Sequence, residues 1–160
     1  MTSANEAVSA VESRLQELGI ALPEVAAPVA AYIPAVVSGN YVYTSGQLPF
    51  INGKLPATGK VGGGIDAAQA KELAAICAVN ALAAVKSQIG DLDRVSRIVK
   101  VVGFVASEPS FTGQPGVING ASELLGNVFG EAGAHARSAV GVAVLPLDAP
   151  VEVEIIAEFI

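Results

Sequence analysis

The chain has no tryptophan, one cysteine, one histidine and one methionine, and only 5% of it is aromatic. A lone cysteine, Cys77, excludes an internal disulfide, which suits a reducing compartment. One cysteine and one histidine cannot assemble a zinc site of the usual Cys/His type within one chain, so no bound metal is expected. Charge is scarce, at 15% of residues, and positive charge is scarcer: nine Lys/Arg face fifteen Asp/Glu for a net charge of −6. Nucleic-acid affinity comes mostly from a clustered basic surface that neutralises phosphates. The basic residues here are spread along the chain, and no nucleic-acid partner is expected. No basic stretch followed by an apolar one opens the sequence, so no secretory signal is visible. Apolar runs are interrupted by Gly, Pro or charge before about eighteen residues, so no spanning helix and no membrane partner are expected. The expected compartment is the cytoplasm.

What the sequence has in quantity is small and aliphatic residues. It is 52% hydrophobic with a mean hydropathy of +0.55, which is apolar for a chain of 160 residues. That length fits one domain, which buries roughly 68–70% of the surface its unfolded form exposes. Surplus apolar surface on such a domain ordinarily ends in a subunit interface, so a homo-oligomer is expected.

Periodicity and punctuation predict the elements. Ser3 to Leu18 reads as a first helix, with Ser3 and Glu6 at capping-box spacing and Val8, Val11, Leu15 and Leu18 on one face. A proline-bearing linker, Leu22 to Pro28, sets this helix apart as an appendage. Strands follow at Ile33 to Val37 and Tyr41 to Ser45, joined at Ser38-Gly39-Asn40, and Asn52-Gly53 marks a further turn. The longest helix spans Ala67 to Ile89, capped by Asp66 and Gln69 and ended by Gly90. Val95 to Val105, rich in β-branched residues, is the clearest strand. A third helix runs from Pro115 to Phe129. Strands at Ser138 to Leu145 and Val151 to Phe159 finish the chain. The order is an added helix, then β-β-α-β-α-β-β: an α+β domain, its mixed sheet covered on one face by two helices. The other sheet face needs cover from elsewhere, which oligomerisation supplies.

Arg137 is the leading candidate for chemistry. It is the only Lys or Arg after Val101, and on its strand it shares a face with Ala139, Gly141 and Ala143. A guanidinium above small residues has room for a small anion, and its planar fork suits a carboxylate. The competing reading is a solvated arginine at a strand start. In the last strand Glu152, Glu154, Ile156 and Glu158 oppose Val151, Val153, Ile155, Ala157 and Phe159. One of those carboxylates can act as acid or base towards water, or the row can simply blunt an edge strand. His135 reads as a surface-loop residue, Cys77 as a buried small hydrophobe and Asn80 as a cap on a neighbouring backbone group. Gly62-Gly63-Gly64 is a flexible connection, because neither a full GxGxxG nor a P-loop surrounds it.

Two segments carry a resemblance. Gly39-Asn40-Tyr41-Val42-Tyr43-Thr44-Ser45-Gly46-Gln47-Leu48-Pro49 resembles the first-hairpin signature of the Rid family, the reactive intermediate deaminases, also called YjgF or L-PSP endoribonuclease-like. Ala136-Arg137-Ser138-Ala139-Val140-Gly141-Val142, through Leu145-Pro146 to Val151-Glu152-Val153-Glu154, resembles its C-terminal signature. The likeness covers about Pro28 to Ile160, dividing the chain into residues 1–27, helix and linker, and residues 28–160, the family domain. It implies a chorismate-mutase-like fold and a homotrimer whose sheets surround a central barrel, with clefts at the subunit interfaces. It also implies cofactor-free hydrolysis of short-lived enamines or imines, such as 2-aminoacrylate, to keto acids and ammonia. Carried over by position, Arg137 holds the substrate carboxylate, Glu152 positions or activates water, Ser45 and Gly46 wall the cleft, and Asn119 is a polar cleft residue. Tyr32 stands near the family's early cleft tyrosine, but Ala30-Ala31 replaces the usual Gly-Pro before it. Ala139 stands where many deaminase members carry a cysteine. Two further functions stay open: a trimeric module that binds a keto acid without turnover, and a ribonuclease, against which the acidic balance argues.

Overall fold

The computed structural model describes residues 8–25 and 31–160. The elements are α1 (Ala10–Glu17), β1 (Ala35–Ser38), β2 (Tyr41–Thr44), α2 (Ala67–Ile89), β3 (Val95–Ala106), α3 (Gln114–Phe129), β4 (Ala136–Val142) and β5 (Val151–Phe159). This is the expected β-β-α-β-α-β-β order behind an added helix. The five strands form one sheet in the order β1-β2-β5-β3-β4. Every neighbouring pair is antiparallel except β3 and β4, which run parallel through the α3 crossover.

Both long helices lie on one sheet face. Val101, Val105, Val153, Ile155 and Ala157 point to them and are buried with Ala74, Ala78, Ala81, Ile118 and Leu125. Asp66 caps α2 by accepting from the Gln69 backbone N–H at 2.7 Å, and Gly90 closes its far end on the Lys86 carbonyl. Alanine and glycine let the helices approach closely: a Cβ on Gly120 of α3 would lie 1.9 Å from the Lys71 carbonyl oxygen of α2. By length and composition α2 is apolar enough to cross a membrane, contrary to the reading that no run reaches that length. Its apolarity is largely alanine, and eleven of its residues are buried against the sheet and α3, as a core helix requires.

The opposite face carries Val36, Tyr43, Ile156, Lys100, Val102, Phe104, Glu152, Glu154 and Val140, as cross-strand pairing dictates. A small cluster of Ala106, Leu145 and Ala149 with Leu48, Leu55, Phe104 and Val142 covers one end of it. Tyr43, Val36 and Val140 remain 41–48% exposed, an apolar surface that this chain does not cover with its described residues.

Three expectations change. The first helix begins at Ala10, capped by Ser9, whose side chain accepts from the Glu12 N–H; Ser3 and Glu6 lie outside the described residues. It is also no loose appendage. Asp93, in the 3-10 turn Leu92–Arg94, accepts from Ser9 Oγ and from the Ala10 and Val11 N–H groups, each at 2.8 Å. Those hydrogen bonds hold the Asp93 carboxyl below its ordinary range, the Val11 N–H foremost. Glu12 pairs with Lys86 of α2, Arg14 Nε donates to the Asn127 carbonyl, and Leu15 is buried. Finally, β4 starts at Ala136 and stops at Val142, because pairing with β3 runs from Lys100↔Ala136 to Ala106↔Val142. Arg137 therefore sits inside a paired strand.

Candidate functional site

Arg137 pairs with Val101, whose side chain is buried under the helices, so Arg137 points to the helix face, towards α3. Its Nη1 donates to Asn119 Oδ1 at 2.7 Å and to Ser122 Oγ at 3.2 Å. Among the described residues no carboxylate pairs with it, and neither Nε nor Nη2 donates a hydrogen bond. Among the described residues no buried side-chain nitrogen lacks a partner, so that Nε/Nη2 edge lies at accessible surface. A half-buried guanidinium held by one nitrogen, with its fork edge open, is arranged to receive a carboxylate bidentately. The floor of small residues is narrower than the sequence suggests: the place of a side chain on Gly141 is taken by the Gln114 amide and the Ser107 hydroxyl.

Glu152 lies on the other sheet face, opposite Phe104. Its neighbours come from a bulge. β2 pairs with β5 at Tyr43↔Ile156 and again at Gln47↔Val153, with one more residue on the β2 side. The interrupted ladder is repaired by Thr44 Oγ1, which accepts from the Ile155 N–H at 3.0 Å. The extra residue arches Ser45 and Gly46 over β5, a device common beside binding sites. A side chain on Gly46 would have to displace the Glu152 carboxylate: a Cβ there would lie 2.0 Å from Glu152 Oε1. Ser45 Oγ donates to the Ile33 carbonyl at 2.6 Å, fixing the segment that follows Tyr32, whose side chain is 52% exposed. Burial pushes the Glu152 carboxyl above its ordinary range, and the negative charge of Glu154 adds to the effect. A carboxyl moved up in that way holds a proton more readily than an ordinary glutamate, which favours an acid/base role. Glu154 shares the face but borders a separate hollow of about 150 Å³ with Tyr43, Lys100, Val102 and Ile156.

The residues singled out from the sequence thus fall into two groups. Arg137 and Asn119 meet on the helix face at the β4 edge. Ser45, Gly46 and Glu152 meet on the other face, with the Tyr32 segment beside them. One chain does not bring the groups together, because β3 lies between β4 and β5 and the two side chains leave the sheet in opposite directions.

Ser122 was not anticipated, and His135 was read only as a surface-loop residue. Ser122 Oγ lies 2.9 Å from His135 Nε2, and His135 Nδ1 lies 2.6 Å from the Gly133 carbonyl oxygen. His135 does lie in the loop before β4, but half-buried and with both ring nitrogens in hydrogen-bond contact. The available signal was spacing: Ser122 follows Asn119 by three on one helix, and His135 stands two residues before Arg137, just ahead of β4. Asn80 does cap backbone, donating to the Leu48 and Phe50 carbonyls at 3.0 and 3.1 Å, and Cys77 is buried. Burial first, then the charge of Glu152, raises the Cys77 thiol well above its ordinary range, which keeps it protonated. Among the described residues no cluster of His, Cys, Asp and Glu has the makings of a metal site.

Residues 12–159 match the family described as "YjgF/chorismate mutase-like, putative endoribonuclease". Protein TCP17 of Trypanosoma cruzi is 46% identical over 149 residues, covering 92% of this chain and 93% of TCP17. The crystal structure of Atu1372 from Agrobacterium tumefaciens superposes with a TM-score of 0.89 at 50% identity, covering 94% of this chain and 93% of that one. Escherichia coli TdcF, solved with bound serine, superposes with a TM-score of 0.59 at 27% identity, covering 84% of this chain and 93% of TdcF. With its five-stranded mixed sheet and helices, its two signature segments and these relatives, the chain belongs to the YjgF/chorismate-mutase-like, or Rid, family.

Proposed function

We propose that this protein is a cofactor-free hydrolytic deaminase of small carboxylated enamines and imines of the 2-aminoacrylate type, acting in the cytoplasm as a homotrimer with its clefts between subunits. The observation that carries the reading is the unpaired Nε/Nη2 edge of Arg137. The serine bound to TdcF is a ligand of the right class, a small amino-acid carboxylate. Arg137 grips the substrate carboxylate, Asn119 holds the arginine, Glu152 directs a water and moves its protons, and Ser45, Gly46 and Tyr32 line the cleft. The imine carbon accepts water to give a carbinolamine, which releases ammonia and leaves the keto acid. Orienting one carboxylate and one water lowers the barrier without any group beyond side chains.

The opposed directions of Arg137 and Glu152 favour assembly of the cleft from two copies, one supplying each face. The uncovered apolar sheet around Tyr43, Val36 and Val140 supplies an interface for that assembly. A test compares ammonia release from 2-iminopropionate by the wild type and Arg137→Ala, with light scattering on both. The expected result is an unchanged trimer with turnover abolished; a monomer, or undiminished turnover in the variant, overturns the proposal. Ala139, in place of the cysteine of many deaminases, favours a second reading in which the cleft binds a keto acid without turnover. Tight binding of 2-oxobutyrate with no ammonia release from any imine selects it.

A further inference from the structure

Resting on the reading of Arg137 as a carboxylate anchor, we propose that Ser122 and His135 are positioning residues that set the plane of its guanidinium. With a neutral imidazole at His135, the direction of every hydrogen bond in the group follows from its two ends. Arginine can only donate, and the Gly133 carbonyl can only accept. His135 Nδ1, 2.6 Å from that carbonyl oxygen, therefore carries a proton, and in the neutral ring Nε2 presents a lone pair. Ser122 Oγ, 2.9 Å from Nε2, donates to it and so turns a lone pair towards Arg137 Nη1, 3.2 Å away. The chain runs Arg137 to Ser122 to His135 to Gly133, each member donating to the next, an arrangement in which each bond polarises its neighbour.

The geometry gives this chain its purpose. The N–H bonds of Nη1 lie in the guanidinium plane, so one acceptor leaves that plane free to swivel and two acceptors fix it. Asn119 is the first acceptor and Ser122 the second. A serine inside a helix ordinarily turns its proton to the carbonyl one turn back, here that of Ile118. His135 draws the proton away and holds the hydroxyl in the orientation that Arg137 needs. A long side chain fixed before its ligand arrives gives up less freedom on binding, so the relay raises carboxylate affinity by preorganisation.

The test measures binding of 2-oxobutyrate and of its methyl ester to the wild type, Ser122→Ala, Ser122→Thr, His135→Phe, Ser122→Ala/His135→Phe and Arg137→Ala. Arg137→Ala should erase the preference for the acid. Ser122→Ala and His135→Phe should each cut that preference by roughly threefold to tenfold, the range for loss of one hydrogen bond. Ser122→Thr should restore it, and the double variant should lose little more than either single one, since the two act in series. Loss of the preference in Arg137→Ala, with wild-type preference in Ser122→Ala and His135→Phe, overturns the relay and leaves the anchor standing. Retention of the preference in Arg137→Ala removes the anchor itself, and the relay with it.

Discussion

Replacing Gly46 with alanine separates the chemistry of the proposed cleft from the stability of the fold. The new methyl carbon would stand 2.0 Å from Glu152 Oε1, 2.7 Å from Cδ and 3.0 Å from Cγ. Carbon atoms in that position essentially never come within 3.0 Å of a neighbour, so the carboxylate oxygen must retreat by about 1 Å. The obstacle is the far end of a flexible side chain, and its rotation away from a preferred rotamer costs on the order of 0.5–1.5 kcal/mol. For a domain of this size that lowers the unfolding midpoint by a few degrees, at about 2–4 °C per kcal/mol. A water-directing group moved by about 1 Å costs turnover on the order of 10²-fold. Arg137, on the other sheet face of the same chain, keeps its contacts with Asn119 and Ser122, so the preference for 2-oxobutyrate over its methyl ester should persist. Ammonia release from 2-iminopropionate, isothermal titration with 2-oxobutyrate and its methyl ester, and a thermal melt read the three quantities separately. A folded Gly46→Ala protein turning over imine at the wild-type rate would refute the placement of Glu152 in the chemistry.

The remaining predictions concern stability. Gly120→Ala should destabilise by about 1–3 kcal/mol or more, because its methyl meets the Lys71 backbone oxygen at 1.9 Å and only separation of α2 from α3 relieves it. Gly126→Ala, on the same helix with open space around it, should instead raise the melting midpoint, alanine being favoured over glycine in a helix by about 1 kcal/mol. Asp93→Ala should cost about 1 kcal/mol, the usual worth of a helix N-terminal cap. Because the Asp93 carboxyl is held low, the wild-type advantage should be full above its ordinary value of 3.8 and vanish as pH falls through the lower folded value. Glu152→Gln has the opposite sign. The wild-type carboxyl is raised, so the fold binds its proton more tightly than the unfolded chain does and loses stability as pH rises from the ordinary value of 4.5. The variant should melt above the wild type near neutral pH and lose that advantage in acid, with its turnover lost throughout. A melting difference that does not vary with pH would contradict the assignment.

Much of the architecture was legible in the amino-acid order because it rests on local signals. Asp66, Gln69 and Gly90 bound α2 at the residues where it is found, and the alternation from Val151 to Phe159 gives β5 its limits and its two faces. Signals at element ends were less faithful where distant groups intervene. The periodicity carried a helix through Val8 and Ser9, but the carboxylate of Asp93, more than eighty residues away, meets the helix at Ser9 and it starts at Ala10. Likewise β4 ends where β3 ceases to offer it partners, which no property of Val144 or Leu145 announces.

The candidate site divides the same way. Arg137, Glu152 and Gly46 could be named from the sequence, since residue type and signature position travel with the chain. Which way each side chain points could not, because alternation along a strand separates two faces without saying which one the helices will cover. That choice is made by pairing across the sheet: Val101 beside Arg137 buries one face, and Phe104 beside Glu152 marks the other. Ser122 and His135 became neighbours only when the crossover of α3 laid its flank along β4, a contact between segments that share no periodicity. Sequence alone determined the elements, their order and the chemical groups available. The long-range pairing of strands and the close packing of α3 decided which of those groups meet.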